Sequence, residues 1–288
     1  MDISKVVIPV AGWGTRSLPA TKNIPKEMLP IFKKPVVQYI VEEAIGAGMR
    51  DVLFVTNQNK KIIEDHFDRN FLLEDLLKNA GKEELLAEVQ KVARMVNVMS
   101  VRQKEQLGLG HAVLCAKEMC CNEPFGVMLG DDLMFGDSTG IKVLHDVAKQ
   151  TGKAVVGVIE VPNDKVDRYG IIDGEEIGNR VYSVKNLVEK PALDKAPTNL
   201  AIVGRYILLP EIFDYLEKQE PGVGGEIQLT DALQGLADEG KLVAVKLGGR
   251  RFDAGDWVEY LTANIYFALQ DTSLRENLRR KLSELLCE

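Results

Sequence analysis

Short apolar runs bounded by glycine, proline or charge alternate with amphipathic stretches through the first half of the chain. Residues 5–10, 51–56, 96–103 and 125–129 read as strands. Between them, residues 35–47, a stretch near Lys60 and residues 108–118 carry helical spacing. This is βαβ rhythm, and right-handed crossovers then give a doubly wound, Rossmann-like sheet that binds ligands at the carboxyl ends of its strands. A charged helical insert at residues 67–95 is too long for a simple connection. Its pattern suits a lid or subunit contact and a solvated hairpin about equally.

The second half changes character. Residues 154–161, 170–173, 181–189, 199–208 and 243–247 are strand-like with few helices between them. They predict a smaller β-containing part laid against the parallel half, so the whole sheet is mixed. Helical patterns return at residues 226–238 and from Trp257 onward, where Leu274, Leu278, Leu282 and Leu285 form a stripe suited to a core or a dimer seam. The expected fold is α/β: one domain with halves at residues 1–150 and 151–255 and C-terminal helices at 256–288.

Composition narrows the function classes. With 288 residues and 45% hydrophobic content the chain can bury a large core. A net charge of −7 disfavours nucleic acid or an acidic membrane as partner, so any anion site must be local. Cys115, Cys120, Cys121 and Cys287 show no C-x-x-C spacing, which predicts neither a zinc site nor a disulfide framework and fits a reducing cytoplasm. No segment approaches the ~20 apolar residues of a membrane span.

The chemistry concentrates at strand ends. After the first strand comes Gly12-Trp13-Gly14-Thr15-Arg16, then Pro25-Lys26-Glu27-Met28-Leu29-Pro30. Glycines there let backbone N–H groups approach an anion, and Arg16 and Lys26 add the charge a polyphosphate needs. The G-x-G-x-x-G of dinucleotide-binding turns lacks its third glycine, so a hydride-transfer reading is poor. The run 125–132 reads as an apolar strand closing on Asp131 and Asp132, and Asp253 follows another strand. One aspartate at a strand end more often caps a helix or a turn, but two such edges suit Mg²⁺, which takes a few carboxylates plus phosphate oxygens. Glu189-Lys190-Pro191 ends a strand with an ammonium suited to a phosphate monoester, although a surface salt bridge is the commoner use of such a pair. No general base is evident. None is needed where the nucleophile is an already ionised phosphate oxygen.

In order along the chain, these segments together with Gln103, Gly108-Leu109-Gly110-His111-Ala112, Tyr169-Gly170, residues 199–206 and Glu226-Ile227-Gln228-Leu229-Thr230-Asp231 resemble bacterial UTP–glucose-1-phosphate uridylyltransferases, the UDP-glucose pyrophosphorylases, nearly end to end. The resemblance implies transfer of a uridylyl group from UTP to α-D-glucose 1-phosphate, with release of pyrophosphate. It implies that the backbone from Ala11 through Gly12 to Gly14, with Gln103 and Gly108, holds uracil and ribose. Arg16 and Lys26 would face the triphosphate, Asp131 and Asp253 would bind Mg²⁺, and Gly170, Glu189 and Lys190 would hold the sugar phosphate. Separately from the resemblance, the leucine stripe and the helical insert point to a homo-oligomer with one of them at its interface, and the charge and cysteine usage to a cytoplasmic protein without nucleic-acid or membrane partners. Two positions depart from the family pattern. Trp13 stands where leucine is frequent, and Gly130-Asp131-Asp132 stands where a Pro-Asp pair is frequent, nearer the thymidylyl relatives. A dTTP-using enzyme, a catalytically dead nucleotide-sugar sensor and, remotely, an NAD-binding oxidoreductase are the alternatives.

Overall fold

A computed structural model describes residues 2–136 and 140–287. Its centre is a nine-stranded mixed sheet. Strand β1 (Lys5–Pro9) pairs in parallel with β2 (Asp51–Thr56) on one side and β4 (Phe125–Met128) on the other, and β3 (Asn97–Arg102) extends the sheet beyond β2. The chain therefore winds outward from β1 in one direction and returns to its other flank, which opens a crevice at the carboxyl ends of β1 and β4. The glycine turn leaves β1 at that switch point.

The second half completes the sheet. In chain order its strands are β5 (Asp132–Phe135), β6 (Ala154–Glu160), β7 (Gly170–Gly178), β8 (Val181–Glu189), β9 (Leu200–Leu208), β10 (Leu242–Lys246) and β11 (Arg250–Asp253). Strand β9 runs antiparallel between β4 and β6, β10 pairs in parallel with β6, and β8 and β7 follow as an antiparallel edge. The order across the sheet is β3-β2-β1-β4-β9-β6-β10-β8-β7, while β5 and β11 form a separate antiparallel ribbon. The mixed sheet expected from the sequence is thus observed, with β9 joining the two halves.

Period-two alternation sorts each central strand between two cores. Val6, Ile8 and Val10 face one core with Phe54, and Val7 faces the other with Leu53, Val55 and Phe125. Helix α1 (Val36–Gly46) starts after Pro35 and buries Val36, Val37, Ile40, Val41 and Ala44, one helical stripe, against the first core. Full burial of such side chains contributes roughly 1.5–3 kcal/mol each before chain entropy is counted.

Several expected boundaries move. Strand β4 stops at Met128, so Asp131 lies in the turn to β5 and not on a continuous strand. The helix expected over residues 108–118 is two short helices, α5 (Leu109–Leu114) and α6 (Lys117–Cys120). No α-helix follows the glycine turn directly; three 3₁₀ turns occupy Thr15–Ser17, Ala20–Lys22 and Lys26–Met28. The stretch near Lys60 is α2 (Lys61–His66), and the insert after it is α3 (Phe71–Asn79) and α4 (Glu83–Ala93) as a hairpin, with Phe71, Leu72 and Leu76 exposed. Two further helices are α7 (Gly140–Thr151), which closes the first half, and α8 (Ile212–Lys218), which the strand-rich pattern of the second half hides before α9 (Leu229–Asp238). The C-terminal stretch is α10 (Trp257–Gln270) and α11 (Arg275–Leu286), broken between them. In this single chain α11 buries no residue fully, so its leucine stripe is not core.

Candidate active site

A cleft of about 620 Å³ opens at the switch point, lined from both halves of the chain. Pro9, Ala11 and Gly12 reach it from the end of β1, and Asn57 steadies that corner by donating to the Ala11 carbonyl at 2.6 Å. Gly14 adopts φ +68°, a left-handed conformation that glycine takes without strain, and Thr21 Oγ1 donates to its carbonyl at 2.7 Å. That turn delivers Arg16 into the cleft.

The charged floor is compact. Lys26 Nζ lies 2.6 Å from Asp131 Oδ2, and Arg16 bridges two carboxylates, 3.8 Å from Asp131 and 3.5 Å from Asp253. Burial alone would push the Asp131 carboxyl upward, but Lys26 and then Arg16 reverse this and hold it below the ordinary range. Burial likewise opposes the Lys26 ammonium, and Asp131 holds its pKa above the ordinary lysine value. Asp253 is fixed by accepting from the Gly255 N–H at 2.8 Å, just before Asp256 caps α10.

Beneath this floor lies a buried scaffold that sequence reasoning did not find. Glu27 accepts from Lys60 Nζ at 2.7 Å with both side chains buried, which anchors the neighbour of Lys26. Asp132 borders the same cleft, but its carboxylate is taken up by the protein itself. Its Oδ2 accepts from the Gly204 N–H at 3.0 Å and its Oδ1 pairs with Arg251 Nε at 2.8 Å. Arg205, fully buried, makes two 2.7 Å bonds to Glu43 and donates to the Asp132 carbonyl at 2.6 Å. Of the two adjacent aspartates, one therefore serves the cleft and the other holds the turn that presents it.

Opposite, the segment 107–110 docks on the segment 226–230. Gly110 N donates to Ile227 O at 2.8 Å, and Ile227 N donates to Leu107 O at 2.7 Å. A Cβ on Gly108, at φ +100°, would lie 2.7 Å from that of Glu226, so only glycine permits this approach. Gln103, buried, donates from Nε2 to the Gly108 carbonyl at 3.1 Å and stands 3.0 Å from His111 Nδ1. At the far end Glu189 Oε2 accepts from Thr230 Oγ1 at 2.7 Å, and a Cβ on Gly170 would meet both groups.

Ten of the residues singled out from sequence line this one cleft: Ala11, Gly12, Arg16, Lys26, Gln103, Gly108, Asp131, Gly170, Glu189 and Asp253. Gly14 lies behind it, and Lys190 sits at its rim with Nζ 3.5 Å from Glu189 Oε1 and nearly half of its side chain exposed. Lys190 also holds φ +45°, a costly conformation for a residue with a Cβ, supported by its N–H donating to Tyr169 O at 3.0 Å. The cleft further contains Gln106, Arg168, Tyr169, Thr230 and Arg251. Of these, Tyr169, in the Tyr-Gly pair, and Thr230, inside the Leu-Thr-Asp segment, left a signal in the sequence.

Residues 5–269 match the nucleotidyl transferase family. The chain belongs to that family. Within it the chain is 50% identical to a UTP–glucose-1-phosphate uridylyltransferase of Staphylococcus saprophyticus, over 96% of this chain and 97% of that one. A UTP-bound UGPase from Acinetobacter baumannii superposes with a TM-score of 0.90 at 40% identity, covering 99% of this chain and all of that one. A UDP-glucose pyrophosphorylase complexed with UDP-glucose superposes with a TM-score of 0.84 at 41% identity, covering 92% and 98%. The branch read from the motifs is therefore the uridylyl branch of the nucleotidyltransferases. Among the described residues, no helix is long and apolar enough to cross a membrane.

Proposed function

We propose that this cleft transfers the uridylyl group of UTP to α-D-glucose 1-phosphate, giving UDP-glucose and pyrophosphate. The carrying observation is the joining of Arg16, Lys26, Asp131 and Asp253 at the carboxyl ends of β1 and β4, beside the glycine turn. Residues 1–150 hold the nucleotide: the Ala11–Gly12 backbone, Gln103 and Gly108 take uracil and ribose, and Arg16 and Lys26 face the triphosphate. Residues 151–255 hold the sugar phosphate, with Glu189 and Gly170 toward the glucose hydroxyls and Lys190 toward the phosphate. A phosphate oxygen of the sugar phosphate attacks the α-phosphorus in line, and the bond to pyrophosphate breaks. The nucleophile is ionised already, so catalysis rests on positioning and charge neutralisation.

Asp131 and Asp253 fit Mg²⁺: two carboxylates sharing one guanidinium offer hard oxygen donors at a place where phosphate oxygens complete the shell. Among the described residues no cluster of three or more acidic, histidine or cysteine side chains competes as a metal site. When bound there, the ion neutralises charge that develops on the phosphates. Pyrophosphate release from UTP, glucose 1-phosphate and Mg²⁺ tests the reading, with dTTP as comparator and a chelator as control. UTP is expected to lead dTTP by at least about tenfold, since the two differ by the thymine methyl and by the ribose 2′-hydroxyl. Faster turnover of dTTP would transfer the protein to the thymidylyl branch, and none with any triphosphate would favour a sensor. The enzyme is cytoplasmic and homo-oligomeric, with α11 or the α3–α4 hairpin at its interface, and light scattering on the full chain against one ending near Gln270 tests that arrangement.

A further inference from the structure

Trp13 is an exposed indole between two glycines, and its Nε1 lies 3.2 Å from Gln106 Oε1, ninety-three positions away. Gln106 and Gln103 line both the main cleft and an adjoining cavity of about 290 Å³, whose wall includes Trp13. The polarity of this contact is fixed by chemistry. An indole N–H only donates, so Gln106 must turn its carbonyl oxygen to Trp13, which leaves the amide NH₂ as what it offers elsewhere. The neighbouring amide is held the opposite way. Gln103 Nε2 donates to the Gly108 carbonyl, an acceptor only, so Gln103 has its Oε1 to present to a ligand.

Resting on the uridylyltransferase reading, we propose that Gln103 and Gln106 form an acceptor–donor pair that reads the N3–H and carbonyl edge of uracil, and that Trp13 is the positioning residue that sets the donor. Cytosine reverses that edge, with an acceptor at N3 and an amino group at C4, and meets the pair with like groups opposed. Thymine shares uracil's edge, so the pair excludes CTP and leaves dTTP to be told apart by its methyl and its missing ribose 2′-hydroxyl.

The test measures pyrophosphate release with UTP and with CTP for the unaltered protein, Trp13→Phe, Gln106→Ala and the double variant, and CTP inhibition of the UTP reaction where CTP turns over too slowly. Gln106→Ala is expected to lower the UTP-over-CTP ratio of kcat/KM about tenfold, and Trp13→Phe, which keeps the ring and removes the N–H, about fivefold. The double variant is expected to match Gln106→Ala, because the two residues act as one unit. The KM for glucose 1-phosphate is expected to stay within about twofold throughout. Equal losses with both triphosphates would show a merely structural role and overturn the proposal, as would a ratio moved by Trp13→Phe but not by Gln106→Ala. Absence of turnover by the unaltered protein with UTP would instead overturn the parent reading, and it is visible before any variant is made.

Discussion

The two ends of the cleft are built on opposite plans. At the phosphate end every charge is already answered: Lys26 and Arg16 neutralise Asp131 and Asp253, and Glu27 with Lys60 is locked beneath them. At the sugar end Lys190 is loosely held, exposed and on strained backbone, and Glu189 is fixed through one oxygen by Thr230. The first end is a preorganised electrostatic floor, whose dipoles cost little reorganisation when charge moves in the transition state. The second, on the proposed assignment, is a binding surface whose lysine side chain is left free to meet its ligand. Substitutions at the phosphate end should therefore strike kcat, and those at the sugar end should strike KM.

The largest expected effect is at Asp131. Asp131→Asn removes a carboxylate that balances Lys26 and that the proposed function assigns to Mg²⁺, and kcat should fall at least ~10²-fold, the scale of one preorganised charge-stabilising group. Steady-state kinetics at saturating UTP, glucose 1-phosphate and Mg²⁺ checks this. Near-normal turnover would mean that the floor is scaffold and not machinery.

Next is Lys190→Ala, expected to raise KM for glucose 1-phosphate by about tenfold with a much smaller change for UTP, as loss of a charge-assisted contact to one substrate requires. A larger rise for UTP would exchange the roles of the two ends. The side chain is half solvated, so Tm should barely move.

Acid stability sharpens the contrast more gently. The Asp131 carboxyl titrates below its ordinary value in the folded chain, so it adds stability that is full above the unfolded carboxylate pKa, near 4, and is lost as pH falls toward the lowered folded value. Thermal unfolding from pH 7 down to pH 3 should show the unaltered protein losing its Tm advantage over Asp131→Asn across that window. A constant gap would mean that the Lys26–Asp131 pair does not differ from its unfolded state.

How far the sequence reveals these plans depends on range. The βαβ rhythm, the switch point and the residues clustered after β1 follow from local periodicity and strand-end chemistry, which neighbouring residues encode. Asp131 was legible for the same reason. Its partner Asp132 was not, because its role depends on Arg251, Gly204 and Arg205, brought close only by β9 and the β5–β11 ribbon. Gln106 gave no signal, since an exposed glutamine becomes informative only when an indole from residue 13 lies against it. The end of β4 at Met128 falls beside the tertiary hydrogen bond from Leu129 N to Gly204 O, a partner that local sequence does not reveal.

The smallest effect, and the finest test of the sugar end, is at Thr230. Its hydroxyl donates to Glu189 Oε2 at 2.7 Å, and Lys190 Nζ stands near the other oxygen at 3.5 Å, so Thr230 fixes the carboxylate that the proposed function turns toward the glucose hydroxyls. Thr230→Val keeps the shape and removes the donor, and the KM for glucose 1-phosphate should rise roughly threefold to tenfold, the worth of one hydrogen bond to a charged group at a part-exposed site. The KM for UTP should hold, because the proposed nucleotide contacts run through Gln103 and the Ala11–Gly12 backbone. Thr230→Ser, which restores the hydroxyl, should recover most of the loss. If Thr230→Val lowered kcat as steeply as Asp131→Asn, the sugar end would be as preorganised as the phosphate end, and the division of labour between them would fail.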